Sequence, residues 1–134
     1  VTPNEAVEVT KRLWSAIQRR DLDEFLSMID PDVEFVSFFS TLERDTYRGH
    51  EGVREWWNGV IASLGGIRFE PRSFDAVRDR WVWTPVVIIG TADDVDVEQA
   101  IWQVAEVVDD KATWWGSYGT EREARDALEA RFGE

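Results

Sequence analysis

The feature that most constrains this chain is the run of strand-like segments that begins at Ile67 and continues without a helical interruption as far as Thr120. Four candidates, residues 67–77, 81–91, 95–108 and 111–119, are rich in β-branched and aromatic residues. Turn chemistry separates them at Arg78-Asp79, Ala92-Asp93-Asp94 and Asp109-Asp110. Connections this short join antiparallel neighbours, so the second half reads as a meander. A sheet of four or five long strands twists and cannot stay flat. Pro85 inside the second candidate marks an edge or a bulge, which adds curvature.

Helices precede this meander. Thr2-Pro3-Asn4-Glu5 has the form of a capping box with proline at the first helical position, and Ala6, Val9, Leu13 and Ile17 follow at helical spacing, which predicts a helix over about residues 3–19. Asp21 caps a second short helix whose apolar side is Leu22, Phe25, Leu26 and Ile29, and Asp30-Pro31-Asp32 ends it. Residues 33–39 read as a strand, and Ser40 to Asp45 as a polar loop. Tyr47-Arg48-Gly49-His50-Glu51-Gly52 opens a third helix. Its apolar stripe is Val53, Trp56, Trp57, Val60, Ile61 and Leu64, and Gly65-Gly66 stops it. A second capping box at Thr120 to Glu123 starts a C-terminal helix through Ala124, Ala127 and Leu128. Helices first and hairpins afterwards is an α+β order, and helices laid on the concave face of a curled sheet enclose a cone.

At 134 residues the chain is read as a single domain over 1–134. With no cysteine, disulfides and thiolate chemistry are excluded. The net charge of −12, from 27 acids against 15 bases, repels phosphate backbones and anionic lipid, so neither nucleic acid nor membrane is an expected partner. No segment has the length and apolarity of a membrane span and no signal peptide is visible, which makes the cytoplasm the expected location. Only two of the bases are lysines, a bias common in bacterial proteins from GC-rich genomes.

Several motifs, in order, carry a family resemblance: Asp32-Val33-Glu34-Phe35, Tyr47 to Val53, Phe69-Glu70-Pro71, Asp79-Arg80, Asp109-Asp110-Lys111 and Arg125 to Ala130. The chain resembles SnoaL-like proteins, a branch of the nuclear transport factor 2-like superfamily that includes polyketide cyclases, ketosteroid isomerase and limonene epoxide hydrolase. The resemblance implies the cystatin-like cone: N-terminal helices on a curved, mixed, mostly antiparallel sheet. It also implies a pocket at the open end for a small hydrophobic molecule, no cofactor, and a homodimer through the outer face of the sheet. Ketosteroid isomerase works with an aspartate base, a neutral aspartic acid and a tyrosine. By offset those slots fall at Val36, Trp102 and Leu13 or Trp14 here, and the histidine slots of many relatives fall at Val36 and Gln103. None of these residues is ionisable.

What remains is aromatic, with eight tryptophans. Strand alternation puts Trp81 with Trp83, and Trp102 with Glu98, Ala100 and Val104. On the last strand it groups Thr113, Trp115 and Ser117 against Trp114 and Tyr118. The expected ligand-binding set is Trp14, Val36, Phe38, Trp57, Trp81, Trp83, Trp102, Trp115 and Ser117. Flat apolar walls with few polar groups suit a planar hydrophobic ligand. Helical spacing favours core over ligand contact for Trp56 and Trp57. Three residues are candidates for acid–base chemistry. Glu98 qualifies if buried among tryptophans, where desolvation raises a carboxyl pKa, and otherwise is a solvated strand end. His50, the lone histidine, either exchanges protons or bonds local backbone. Tyr47, with Arg44 and Asp45, stands near the expected mouth. A single histidine without converging carboxylates makes no metal site. Two readings follow: a hydrophobic-ligand protein with cofactor-independent isomerase, cyclase, dehydratase or hydrolase chemistry, or a non-catalytic module whose cone is filled by its own side chains.

Overall fold

The computed structural model describes residues 2–38, 46–63, 66–92 and 94–132. Helix α1 spans Pro3–Gln18. Its capping box is closed: the Glu5 N–H donates to Thr2 Oγ1 and the Thr2 N–H to Glu5 Oε2, both at 3.2 Å. Helix α2, Leu22–Ser27, is capped by Asp21, whose Oδ1 accepts the Glu24 N–H at 3.1 Å. Strand β1 follows at once as Ile29–Val36. It therefore starts four residues before the expected strand and runs through Pro31. Its pairing with the last strand is irregular between Ile29 and Glu34, so proline's missing N–H removes no ladder bond there.

Strand β2, Thr46–Arg48, pairs antiparallel with β1 and was not anticipated, being only three residues long. Helix α3 is Gly49–Gly59, followed by a 3₁₀ turn at Ile61–Ser63. The apolar stripe predicted a helix running on to Leu64. It stops at Gly59, a poor helix former, and tightens into the 3₁₀ turn common at helix ends. Phe39, the loop from Ser40 to Asp45, Leu64, Gly65 and Asp93 lie outside the described residues. Gly49 is fixed by geometry: its φ is +69° and a Cβ would sit 2.9 Å from the Pro31 carbonyl oxygen.

Five strands complete the sheet: β3 Arg68–Pro71, β4 Asp75–Val77, β5 Trp81–Ala92, β6 Val95–Val108 and β7 Lys111–Tyr118. The expected strand 67–77 is split in two, and Pro85 lies opposite the gap, where the Arg72 N–H bonds its carbonyl at 2.8 Å. The order is β2-β1-β7-β6-β5-β3, with β4 also on β5. Only β1–β7 is parallel. The turns adopt left-handed backbone at Arg78, Asp94, Asp109 and Asp110, where aspartate is well tolerated. No helix among the described residues is long and apolar enough to cross a membrane.

Helices pack on both faces of the sheet. Inside, Val33, Phe35, Val82, Val86, Ile101 and Trp115 join α1, α2 and α3 in the main core. Outside, helix α4, Glu121–Phe132, covers Trp81, Val104 and Trp114 with Ala124 and Leu128. Arg131 on α4 pairs with Glu34 on β1. A register shift between Glu106 and Val107 leaves Thr113 as an extra residue on β7. This bulge corrects the expected grouping of Thr113 with Trp115. Thr113 instead donates to the Glu106 carboxylate at 2.6 Å, on the side of α4.

Candidate functional site

At the end of the cone where β1 and β7 finish, side chains from every layer converge. Trp14 and Ile17 come from α1, Trp56 from α3 and Ile61 from the 3₁₀ turn. Ser37 and Phe38 extend β1, Phe69 lies on β3, Ile101 on β6, and Trp115 and Ser117 on β7. They enclose a cavity of about 20 Å³, room for roughly one water molecule, which needs ~10–15 Å³ on the same measure. Aromatic packing makes the enclosure stiff. Trp115 stacks on Phe35 with planes 7° apart and meets Trp14 at 5.4 Å between centroids.

The polar groups facing inward are neutral. Trp56 donates its ring N–H to Ser37 Oγ at 2.7 Å. Trp14 donates to Gln103 Oε1 at 3.1 Å. Because an indole nitrogen only donates, this contact fixes which end of the Gln103 amide is oxygen. The Gln103 amide nitrogen then donates to the Val104 carbonyl at 2.8 Å. Thr84 pairs with Gln103 across β5 and β6 and is fully buried, yet its Oγ1 has no hydrogen-bond partner among the described residues.

Two surface grooves flank the cavity. One, of about 320 Å³, is lined by Val36, Ser37, Phe38, Ser117, Tyr118, Gly119 and Glu123. It shares Ser37, Phe38 and Ser117 with the cavity, so the half-buried Phe38 ring stands between them. Gly119 makes room for that ring: a Cβ there would lie 3.0 Å from Phe38 Cε1. Glu123 is the one carboxylate on this groove among the described residues, and its Oε1 accepts the Thr120 hydroxyl at 3.0 Å. The other groove, of about 270 Å³, lies on the far side of Phe69 between the C-terminus of α1 and β3.

Of the residues expected from sequence, Trp14, Phe38, Trp115 and Ser117 line the cavity and Val36 lines the adjoining groove. Trp57 is core, 5.5 Å from Phe25 and away from the lining. Trp81, Trp83 and Trp102 are on the opposite face of the sheet, packed with Trp114 and α4. Alternation grouped them correctly, but their face is the outer one, because α4 supplies an apolar cover there. Glu98 is exposed and pairs with Ile89 on the arm of the long hairpin, so the burial that would make it a base is missing. His50 Nε2 bonds the Ile29 carbonyl at 2.7 Å and therefore carries a proton there. Ile29 opens β1 opposite Ala112, whereas Val36 closes it opposite Gly116, farther along β7 and next to Ser37, and His50 is not part of the cavity lining. Tyr47 is buried against Gly52 of α3 and is not part of the lining. Arg44 and Asp45 lie outside the described residues.

The sequence reading missed Ser37, Trp56, Phe69 and Thr84 as site residues. The signal for Gln103 was present, since Ile101, Gln103, Ala105 and Val107 form one alternating row, but the Trp102 row is equally apolar. Among the described residues no group of three acidic or histidine side chains is placed to hold a metal.

Against known proteins, the SnoaL-like domain family matches residues 10–102, more than half of the chain. No curated protein has significant sequence similarity to it. Solved structures share the fold. A Xanthomonas campestris protein of unknown function with a cystatin-like fold is 22% identical, with a TM-score of 0.74 over 91% of this chain and 95% of that one. TerC, crystallised with polyporic acid, is 24% identical, with a TM-score of 0.70 over 93% and 98%. A Mycobacterium tuberculosis protein in complex with estradiol-17β-hemisuccinate is 16% identical, with a TM-score of 0.73 over 91% and 97%.

Proposed function

Because the chain belongs to the SnoaL-like domain family, we propose that it binds a small hydrophobic, aromatic molecule at the open end of its cone. The observation that carries this reading is the shared wall of Ser37, Phe38 and Ser117, which joins an aromatic cavity to an open groove of about 320 Å³. Rotation of the Phe38 ring into the groove would open the cavity so that a flat ring could lie against the edges of Trp14 and Trp115. Ser37 and Ser117 would then receive its polar group. Two proteins of this fold hold polyporic acid and an estradiol hemisuccinate, ligands of the flat, ring-based kind that such walls suit. The whole of 1–134 acts as this one domain, without a cofactor. A homodimer in the cytoplasm completes the proposal, with its contact on the outer sheet surface that α4 leaves uncovered.

Binding stands ahead of catalysis in this reading. The cavity lining holds no carboxylate or imidazole among the described residues, and isomerase-like proton transfer needs such a group. The alternative, a non-catalytic module with a filled cone, is favoured by one observation: about 20 Å³ is far below the ~300–1,000 Å³ of small-molecule sites.

Titration of tryptophan fluorescence with planar polycyclic compounds separates the two. Quenching is expected in the natural protein and severalfold tighter binding in Phe38→Ala, where no ring need be displaced. If neither protein responds to steroid-like or polyketide-like compounds up to their solubility limits, the filled module is correct. Glu98→Gln is expected to leave binding unchanged, and a loss would return Glu98 to the site.

A further inference from the structure

The second groove brings arginine and apolar side chains together. It lies between the end of α1 and β3, has a volume of about 270 Å³, and is lined by Gln18, Arg20, Ile67, Arg68, Phe69 and Glu70. Arg20 is held rigidly: it donates from Nη1 to the Ile17 carbonyl at 2.7 Å and from Nη2 to the Ile67 carbonyl at 3.0 Å. Its backbone takes the left-handed conformation, φ 56°, which a residue with a Cβ adopts at a cost of about 1–2 kcal/mol. Its guanidinium lies 5.8 Å from the Phe69 ring centroid. Both hydrogen-bond partners are uncharged carbonyls, and no carboxylate among the described residues pairs with it. Arg68 shares its one acidic partner, Glu70, with Arg72, each at 3.7 Å. Two arginines, Arg20 and Arg68, therefore line the groove with a single glutamate, which Arg72 outside the groove also pairs, in a protein whose net charge is −12.

We propose that this groove is a second binding site, for a small organic anion with a flat apolar body. The carboxylate of such a molecule would bridge Arg20 and Arg68, and its body would lie on Ile67 and the edge of Phe69. A planar guanidinium fork fixed in advance suits a carboxylate, because little side-chain freedom is lost on binding. The overall negative charge repels anions in general. A preference for an anion over its neutral analogue must then arise locally. The site is separate from the interior cavity and does not depend on Phe38.

The test uses 2-naphthoate and its neutral isostere 2-naphthamide, with binding followed by calorimetry or by chemical-shift changes at low salt. The natural protein is expected to bind naphthoate at least about tenfold more tightly than the amide, the scale of a hydrogen bond to a charged group. Arg68→Glu is expected to abolish that preference, and Arg20→Gln to reduce it. Arg68 is exposed and holds no buried partner, so its variant keeps the fold even if Arg20→Gln loosens the end of α1. Equal binding of the two probes would overturn the proposal, as would no naphthoate binding at millimolar concentration. So would a preference that survives Arg68→Glu. None of these outcomes bears on whether neutral polycycles enter the cone.

Discussion

The two faces of the sheet are both aromatic, yet they are held together differently. On the inner face Trp14, Trp56 and Trp115 pack ring on ring, and their hydrogen bonds run to a glutamine and a serine. On the outer face the rings are bound by cations. The Arg131 guanidinium lies 4.3 Å from Trp114, Arg78 lies 3.8 Å from Phe132 and Arg80 lies 5.2 Å from Trp81. Two of those arginines also pair with Glu34 and Glu106. Charge thus fastens α4 to the outside, whereas the described residues that line the inner cavity carry no ionised side chain. The difference teaches that tryptophan content alone does not locate a ligand site. What distinguishes the inner face is neutral polar chemistry beside a space.

The largest expected effect is at the centre of the inner face. Trp115→Ala should destabilise the protein by about 3–5 kcal/mol in urea denaturation, the usual range for a buried tryptophan; a loss below about 1 kcal/mol would mean that the inner rings are not the main core. Gln103→Leu should cost about 1–3 kcal/mol, because it leaves the buried Trp14 N–H without an acceptor. It should also shift the tryptophan emission. Arg131→Ala comes next, at about 1–2 kcal/mol, since its pair with Glu34 is partly exposed and the Trp114 contact adds to it. Amide exchange in residues 121–132 should accelerate while the inner sheet stays protected, and uniform loosening would show that the faces are not independent. The smallest effect has the opposite sign. Thr84→Val replaces a buried hydroxyl that has no partner and should stabilise by up to about 1 kcal/mol in thermal unfolding. A loss of stability there would reveal a bond that the hydroxyl does make.

Much of the fold was legible because its signals are local. Thr2, Asp21 and Thr120 cap helices through their own side chains, and Asp109-Asp110 turns a hairpin by tolerating left-handed backbone. The cavity was only half legible. Alternation assigns residues to rows, and it correctly grouped Trp81 with Trp83 and separated Trp114 from Trp115. It cannot say which row faces inward when both faces are apolar, as they are once α4 covers one of them. Hence Trp102 was read as lining and Gln103, one residue on, was not. Thr113 escaped because a bulge resets the count by one. Glu98 was ambiguous for a different reason: its burial depends on how far the β5–β6 arm extends past the helices, which no local pattern encodes.

The parallel pairing of β1 with β7 has a consequence for synthesis. Phe35 finds its register partner in Trp115, 80 positions later in the chain. At roughly 5–20 residues per second the first strand waits about 4–16 seconds for that partner to be made. During that interval β3 to β6 are made, while Phe25 and Phe35 lack the indole that covers them in the finished protein. Chain closure, rather than helix or hairpin formation, is then the step at which a nascent molecule is most exposed to chaperones and to its neighbours on the same message.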